Sequence, residues 1–292
     1  MSGAVTVRRF AVHDLAAAAR FCDAARALDP AIEPFAQRLG PIAAGQRAAL
    51  DLWRVASGED GGLYGVSFAA LRESGPRPVY DFYAAVHPSL RRQGLGRALA
   101  EPALASGTAL RARVRDGPST GAAFLSALGF SRTAAELVLQ RSGDPPATQP
   151  SPALRIRPAG PRDRRALEAL SNDAWAGAPD AFVSRGEEIA QLFASEGRLL
   201  LLAESGGAKA GYLSAVRLGA MVGIEEVAVL PEFRRAGIAR ALISHALAGA
   251  TEAVLSVGES NYPARALYRS LGFRQVGRRL VMERPATAER AG

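Results

Sequence analysis

Apolar positions along the chain fall into two rhythms, and the rhythms alternate. In the second half, Leu154 to Arg157 alternates apolar with basic residues and reads as a strand. Asp163 stands where a cap belongs and predicts a helix through about Leu170. Trp175 to Gly197 mixes loop with a helical spacing of Ile189, Leu192 and Phe193. Arg198 to Glu204, Gly211 to Val216 and Ile224 to Leu230 are three further strands, the first two separated by the turn residues Ser205-Gly206-Gly207. A helix from about Gly237 to Ala248 turns Ile238, Leu242 and Leu247 toward a core. Ala253 to Val257 is a strand, Tyr262 to Leu271 a short helix ended by Gly272, and Gln275 to Glu283 a closing strand. The first half gives a similar series: Thr6–Arg9, Ala16–Ala27, Leu52–Ala56, Gly65–Leu71, Val79–Val86, Gly94–Leu104, Leu110–Val114, Gly121–Leu128 and Glu136–Gln140.

The similarity extends to particular residues. Arg91-Arg92-Gln93-Gly94-Leu95-Gly96 is echoed by Arg234-Arg235-Ala236-Gly237-Ile238-Ala239. Each copy follows a Val-x-Pro strand end and opens an Ala/Leu-rich helix. Gly94 and Gly237 lie 143 residues apart, and Leu128-Gly129-Phe130 recurs at the same offset as Leu271-Gly272-Phe273. Two motifs at one offset indicate an internal duplication. The stretch Arg141–Pro152 is proline-rich, polar and without periodicity, so it reads as an extended, exposed linker. The expected organisation is therefore a first domain over residues 1–140, a linker over 141–153 and a second domain over 154–292.

A chain of 292 residues suits two domains of ordinary size, and 48% hydrophobic with 22% charged residues is a globular composition. No apolar run approaches the ~20 residues of a membrane span. Arg8-Arg9 invites a twin-arginine export reading, but His13 and Asp14 interrupt the apolar stretch it needs, and a cytoplasmic protein is expected. Cys22 is the only cysteine and the three histidines show no ligand spacing, so no metal is expected. The net charge of +8 is almost all arginine. The arginines are scattered without an aromatic platform, which argues against nucleic acid and leaves a phosphate-bearing small ligand.

Glycines in the repeated loop let backbone approach a ligand, the following helix offers unpaired amides at the positive end of its dipole, and arginines flank both. That is an anion site suited to a pyrophosphate. No Gly-Lys-Ser/Thr follows, against a P-loop, and neither copy completes a dinucleotide fingerprint. The leading arginine, the Val-x-Pro strand end, Asn261, Leu267-Tyr268 and the downstream Leu-Gly-Phe instead resemble the GNAT superfamily of acyl-CoA-dependent N-acyltransferases. The resemblance covers residues 154–284 strongly and 5–140 more weakly. It implies a mixed α/β (α+β) sheet in two tandem GNAT-like domains. It also implies acetyl-CoA as co-substrate and a primary amine of a small molecule as acceptor. A pseudo-dimeric monomer or a homodimer is the expected assembly.

Carried onto this sequence, the family pattern assigns the CoA pyrophosphate to Arg234, Arg235, Ala236, Gly237, Ile238, Ala239 and Arg240. The backbone of Val227, Ala228 and Val229 would serve the pantetheine arm and the thioester oxygen. Asn261 contacts CoA in the family, and is equally a helix N-cap. Tyr268 stands where family enzymes place the acid that protonates the departing thiolate; the plain reading is an aromatic packed on the sheet. Glu225 and Glu226 are base candidates on opposite faces of one strand, and the family pattern favours Glu225.

The offset also tests the first half. Its equivalent loop is Arg91, Arg92, Gln93, Gly94, Leu95 and Gly96, preceded by Val86. Tyr268 maps to Leu125, Asn261 to Pro118, the two glutamates to Phe82 and Tyr83, and His245 to Pro102, which should kink or shorten its helix. Only Asp81 and Tyr83 remain as polar groups nearby. The expectation is a catalytic second domain and a degenerate first domain that either keeps acetyl-CoA or only shapes the acceptor cleft. Rival readings are a protein N-terminal or lysine acetyltransferase and a non-catalytic acyl-CoA sensor.

Overall fold

The computed structural model describes residues 4–29, 32, 47–73, 79–117, 120–143, 153–176, 189–190, 192–193 and 197–287. In chain order the elements are β1 (Val5–Arg9), α1 (Leu15–Leu28), β2 (Arg54–Gly58), β3 (Leu63–Glu73), β4 (Val79–Val86), α2 (Leu95–Ala105), β5 (Ala109–Arg115), α3 (Thr120–Ala127) and β6 (Ser131–Ser142). They continue as β7 (Leu154–Pro158), α4 (Arg164–Trp175), β8 (Arg198–Ser205), β9 (Ala208–Leu218), β10 (Met221–Val229), α5 (Ile238–Ala246), β11 (Glu252–Gly258), α6 (Tyr262–Ser270) and β12 (Arg274–Arg284).

Two compact units form, and they do not coincide with the sequence halves. One comprises residues 1–134 with 279–292, the other residues 135–278. In the first unit the strand order is β1-β2-β3-β4-β5-β12. Its sheet is closed by Arg279–Arg284 running antiparallel to β5. In the second the order is β6-β11-β10-β9-β8-β7. There Glu136–Ser142 runs antiparallel to β11. Each sheet is thus completed by the last strand of the other sequence half. A period-two pattern shows that β6 and β12 are strands, but not which edge accepts them. The linker expectation is corrected at its start for the same reason: Arg141 and Ser142 belong to β6, Arg141 is buried, and its Nε donates to Leu271 O at 3.0 Å. Residues 144–152 lie outside the described residues.

Each unit packs helices on both faces of its sheet. In the second, Leu201, Leu213, Ile224, Leu242, Leu255 and Tyr268 belong to the core under α5 and α6. Leu167, Leu170, Tyr212 and Ala228 form the core under α4. Asp163 stands at the N-cap position of α4, but its side chain makes no capping bond there. Its carboxylate reaches back to Gly160 N at 3.0 Å and pairs with Arg157 at 2.8 Å. The first unit repeats this device: Asp14 accepts Ala11 N at 2.8 Å and pairs with Arg8 at 2.7 Å. The expected shortening by Pro102 is also absent. α2 carries Pro102 and runs 11 residues against 9 in α5, and Ser106 N still reaches Pro102 O at 3.1 Å.

Candidate active site

The two loops share one geometry. Arg92 and Arg235 both take φ of 66°, a left-handed conformation uncommon for a residue with a side chain. Gly94 and Gly237 then cap their helices at φ of 82° and 76°. A Cβ added at either glycine would meet nothing within 4 Å, so the space above each loop is open. In α5 the first intrahelical bond runs from Ala241 N to Gly237 O, which leaves the amides of Ile238, Ala239 and Arg240 without a helical partner. An open cradle, unpaired amides and the exposed Arg235 beside them fit a pyrophosphate.

The other loop arginines are engaged by the protein itself. Arg234 Nε donates to Val229 O at 3.2 Å and its guanidinium also reaches Ala174 O, the end of α4, at 2.9 Å. Arg91 repeats this with Val86 O at 3.3 Å and an ion pair to Asp29 just past α1 at 2.7 Å. Both clamp their loop to the strand end and the first helix. Arg240 bonds Ser270 Oγ at 2.6 Å, and its equivalent Arg97 bonds Ala127 O at 3.3 Å, tying the loop helix to the next one. Gln93 and Ala236 are exposed on their loops, with Leu95, Gly96 and Ala239 half-buried behind them.

Between loop and sheet, the central strands part. β10 pairs in parallel with β11 only from Met221 to Ile224. At that point β10 bulges: Ile224 opposes Ala215 on β9 and Glu226 opposes Ser214, with Glu225 as the extra residue. The bulge changes which face each side chain takes. Ile224, Val227 and Val229 all pack with the α5/α6 core, while Ala228 and Leu230 pack with the α4 core. By strand alternation Glu226 joins Ala228 on the α4 side. Leu230 N bonds Ala210 O on β9, so alternation turns the N–H and C=O of Val227, and the N–H of Val229, into the gap between β10 and β11.

The structure separates the two glutamates. Glu225 is exposed and ion-paired with Arg198, which also bonds Ser214 Oγ at 3.1 Å. Glu226 is half-buried and accepts the indole N–H of Trp175 at 2.7 Å. Burial raises the proton affinity of Glu226. The indole N–H of Trp175 and the nearby Tyr212 hydroxyl oppose that shift, and the charge of Glu225 adds to it. Tyr268 lies across the strand from Glu226, in the α5/α6 core, with Phe273 edge-on at 5.9 Å. Burial pushes its phenol up to about 12, which keeps the hydroxyl protonated through the neutral range. No hydrogen bond to that hydroxyl is present among the described residues. Asn261 is the N-cap of α6, its Oδ1 accepting Ala264 N at 3.2 Å.

The first unit keeps the gap and loses these groups. β4 pairs with β5 only from Val79 to Asp81. Beyond it lies a cavity of about 550 Å³ bounded by β4, the Arg92–Gly96 loop, β5 and α3. Leu125 and Phe82 line it where the second unit has Tyr268 and Glu225. Tyr83, the equivalent of Glu226, faces the α1 core and stacks on Phe68 at 5.0 Å. Asp81 is paired with Arg113 at 3.0 Å. Among the described residues no group of acidic, histidine or cysteine side chains could hold a metal, and no helix is long and apolar enough to cross a membrane.

Two parted sheets, each with a glycine-capped loop opening a helix, have the fold of tandem GNAT proteins. A GCN5-related N-acetyltransferase from Sphaerobacter thermophilus superposes with a TM-score of 0.73 at 21% identity over 97% of both chains. A tandem GNAT protein from the clavulanic acid biosynthesis pathway, solved without AcCoA, gives 0.71 at 20% identity over 98% of this chain and 100% of that one. Residues 166–273 match the acetyltransferase (GNAT) family. The chain is 33% identical over 234 residues to the mycothiol acetyltransferase of Salinispora arenicola (strain CNS-205), spanning 73% of this chain and 75% of that protein. It is 30% identical over 236 residues to the mycothiol acetyltransferase of Clavibacter michiganensis subsp. michiganensis (strain NCPPB 382), spanning 75% and 76%. The chain belongs to the GNAT family of acetyl-CoA-dependent N-acetyltransferases.

Trp175, Tyr212 and Arg198 were not singled out from the sequence as partners of the two glutamates. Their only signal was a polar-tipped aromatic, or a charge, at a position that otherwise reads as strand or helix. The segment Trp175–Gly197, expected to mix loop with helix, lies mostly outside the described residues.

Proposed function

We propose that the second unit acetylates a primary amine of a small molecule, with Glu226 as base and Tyr268 as acid. The observation that carries this reading is the bulge at Glu225. Just past it, a half-buried carboxylate lies on one side of the parted strand while Tyr268 stands on the other. The unpaired amides of α5 hold the pyrophosphate of acetyl-CoA, which supplies the activated acetyl thioester. The gap-facing N–H of Val227 or Val229 is placed to stabilise the thioester oxygen. The amine nitrogen forms a bond to the carbonyl carbon and gives its proton to Glu226. The carbon–sulfur bond breaks, and the Tyr268 hydroxyl gives its proton to the sulfur. Solvent then restores the phenol as Glu226 releases its proton.

The relatives named mycothiol acetyltransferase support a cysteinyl-sugar amine as acceptor. An S-methylated cysteinyl amide is a suitable probe, because its blocked sulfur does not interfere with detection of released thiol. Tyr268→Phe should slow thiol release toward this probe by about 10²-fold, the lower end of the range for proton transfer, with KM for acetyl-CoA little changed. Unchanged turnover would remove Tyr268 from the reaction.

The cavity of about 550 Å³ in the first unit supports a second reading, that this unit retains acetyl-CoA without reacting it. Titration calorimetry on the full chain should then find two acetyl-CoA molecules per chain, falling to one in Gly94→Val. A single site that survives in Gly94→Val would contradict it.

A further inference from the structure

Glu226 is surrounded by donors that the transfer step does not use. The indole N–H of Trp175, the last residue of α4, holds its Oε1 at 2.7 Å. Tyr212 on β9 is 1% exposed and pairs with Ala228 while Ser214 pairs with Glu226, so Tyr212 stands diagonally across the ladder on the same face. Its hydroxyl is sealed from solvent and meets no partner at hydrogen-bonding geometry, although it lies within the field of the Glu226 carboxylate. Ser171 of α4 is fully buried beside it. The helix end that carries Trp175 is itself held, because Arg234 of the anion loop donates to Ala174 O at 2.9 Å.

We propose that Trp175 and Tyr212 are positioning residues for Glu226: the indole anchors one carboxylate oxygen, and the buried phenol is the donor that meets the carboxylate when it is ionised. Together they hold the other oxygen ready for the proton of the amine. The importance of this for catalysis rests on the reading of Glu226 as base. A phenol with no acceptor in a buried site is costly to leave unpaired, and of the groups beside it an ionised Glu226 is the charged acceptor. The groups facing Glu226 are few. Trp175 and Ser171 come from α4, with Arg234 at that helix end, and Tyr212 and Ser214 come from β9. Glu225 on β10 is already paired with Arg198 of β8. Among the described residues, only Glu225 opposes ionisation by charge.

The chain contains two tryptophans, which gives the test an internal control. Trp53 donates its indole N–H to Ala69 O at 3.1 Å in the first unit. In the ¹⁵N-labelled full chain, the Trp175 indole signal should follow one titration with a midpoint above about 4.3, the ordinary glutamate value, while Trp53 stays flat. Glu226→Gln should abolish that titration. Tyr212→Phe, which preserves the ring, should raise the midpoint by about one pH unit, since losing a donor to the ionised form favours the protonated one. A Trp175 signal that stays flat in folded protein, or a midpoint unmoved by Tyr212→Phe, would overturn the proposal. The acidic limb of kcat/KM for the S-methylated cysteinyl amide tests the underlying reading separately. A titrating indole with a rate limb elsewhere would keep the positioning and remove Glu226 as base.

Discussion

Glu226→Gln should lower kcat toward the S-methylated cysteinyl amide by about 10²–10⁴-fold, the full range for a lost proton acceptor. Glutamine keeps the shape and can still accept the Trp175 indole N–H, so the α4 packing and the thermal midpoint should change little. KM for acetyl-CoA should also hold, because the cradle proposed for the pyrophosphate lies on the loop and not on the α4 face. Glu225→Gln is the control. Glu225 is exposed and already neutralised by Arg198, and its loss should cost only a few-fold. If Glu225→Gln proved the damaging change and Glu226→Gln the mild one, the base would have to be reassigned and the role given to the bulge abandoned. Activity should also rise with pH through the Glu226 titration. The group is protonated below its raised pKa and inactive there, and it becomes a base above it.

Gly237→Val should weaken acetyl-CoA at the second unit by about tenfold or more. Gly237 sits at φ of 76°, where a β-branched residue is strained by about 1–2 kcal/mol. That strain alone corresponds to about 5–30-fold in affinity if the loop opens to relieve it, at 1.4 kcal/mol per tenfold. The new side chain would also fill the open space above the loop, where a Cβ now meets nothing within 4 Å. The change should appear in KM for acetyl-CoA measured by thiol release. An unaltered KM would mean that the pyrophosphate lies elsewhere.

The conformation of the repeated loop was legible in the sequence because its physics is local. Glycine at a left-handed cap and amides at a helix start need no distant partner. Arg92 and Arg235 at one φ, and Arg97 and Arg240 in one bridging role, carry the duplication read at the 143-residue offset into three dimensions. What was not legible depended on pairing. Nothing in the alternation of β6 or β12 tells which sheet it completes. The bulge at Glu225 is invisible in a run of strand-forming residues, and so is the outcome that Glu225 is exposed while Glu226 is half-buried. Asp163 looks like a helix cap until Arg157 and Gly160 are seen to claim its carboxylate. Trp175 lies 51 residues before Glu226, and only the fold joins them.

The central claim is that one of two similar loops serves the reaction. It is tested most directly by placing the same lesion in each. Gly94→Val and Gly237→Val should be made in the full chain and assayed side by side for thiol release at subsaturating acetyl-CoA. The account predicts that the Gly237 variant loses far more activity than the Gly94 variant. The opposite ranking would contradict it.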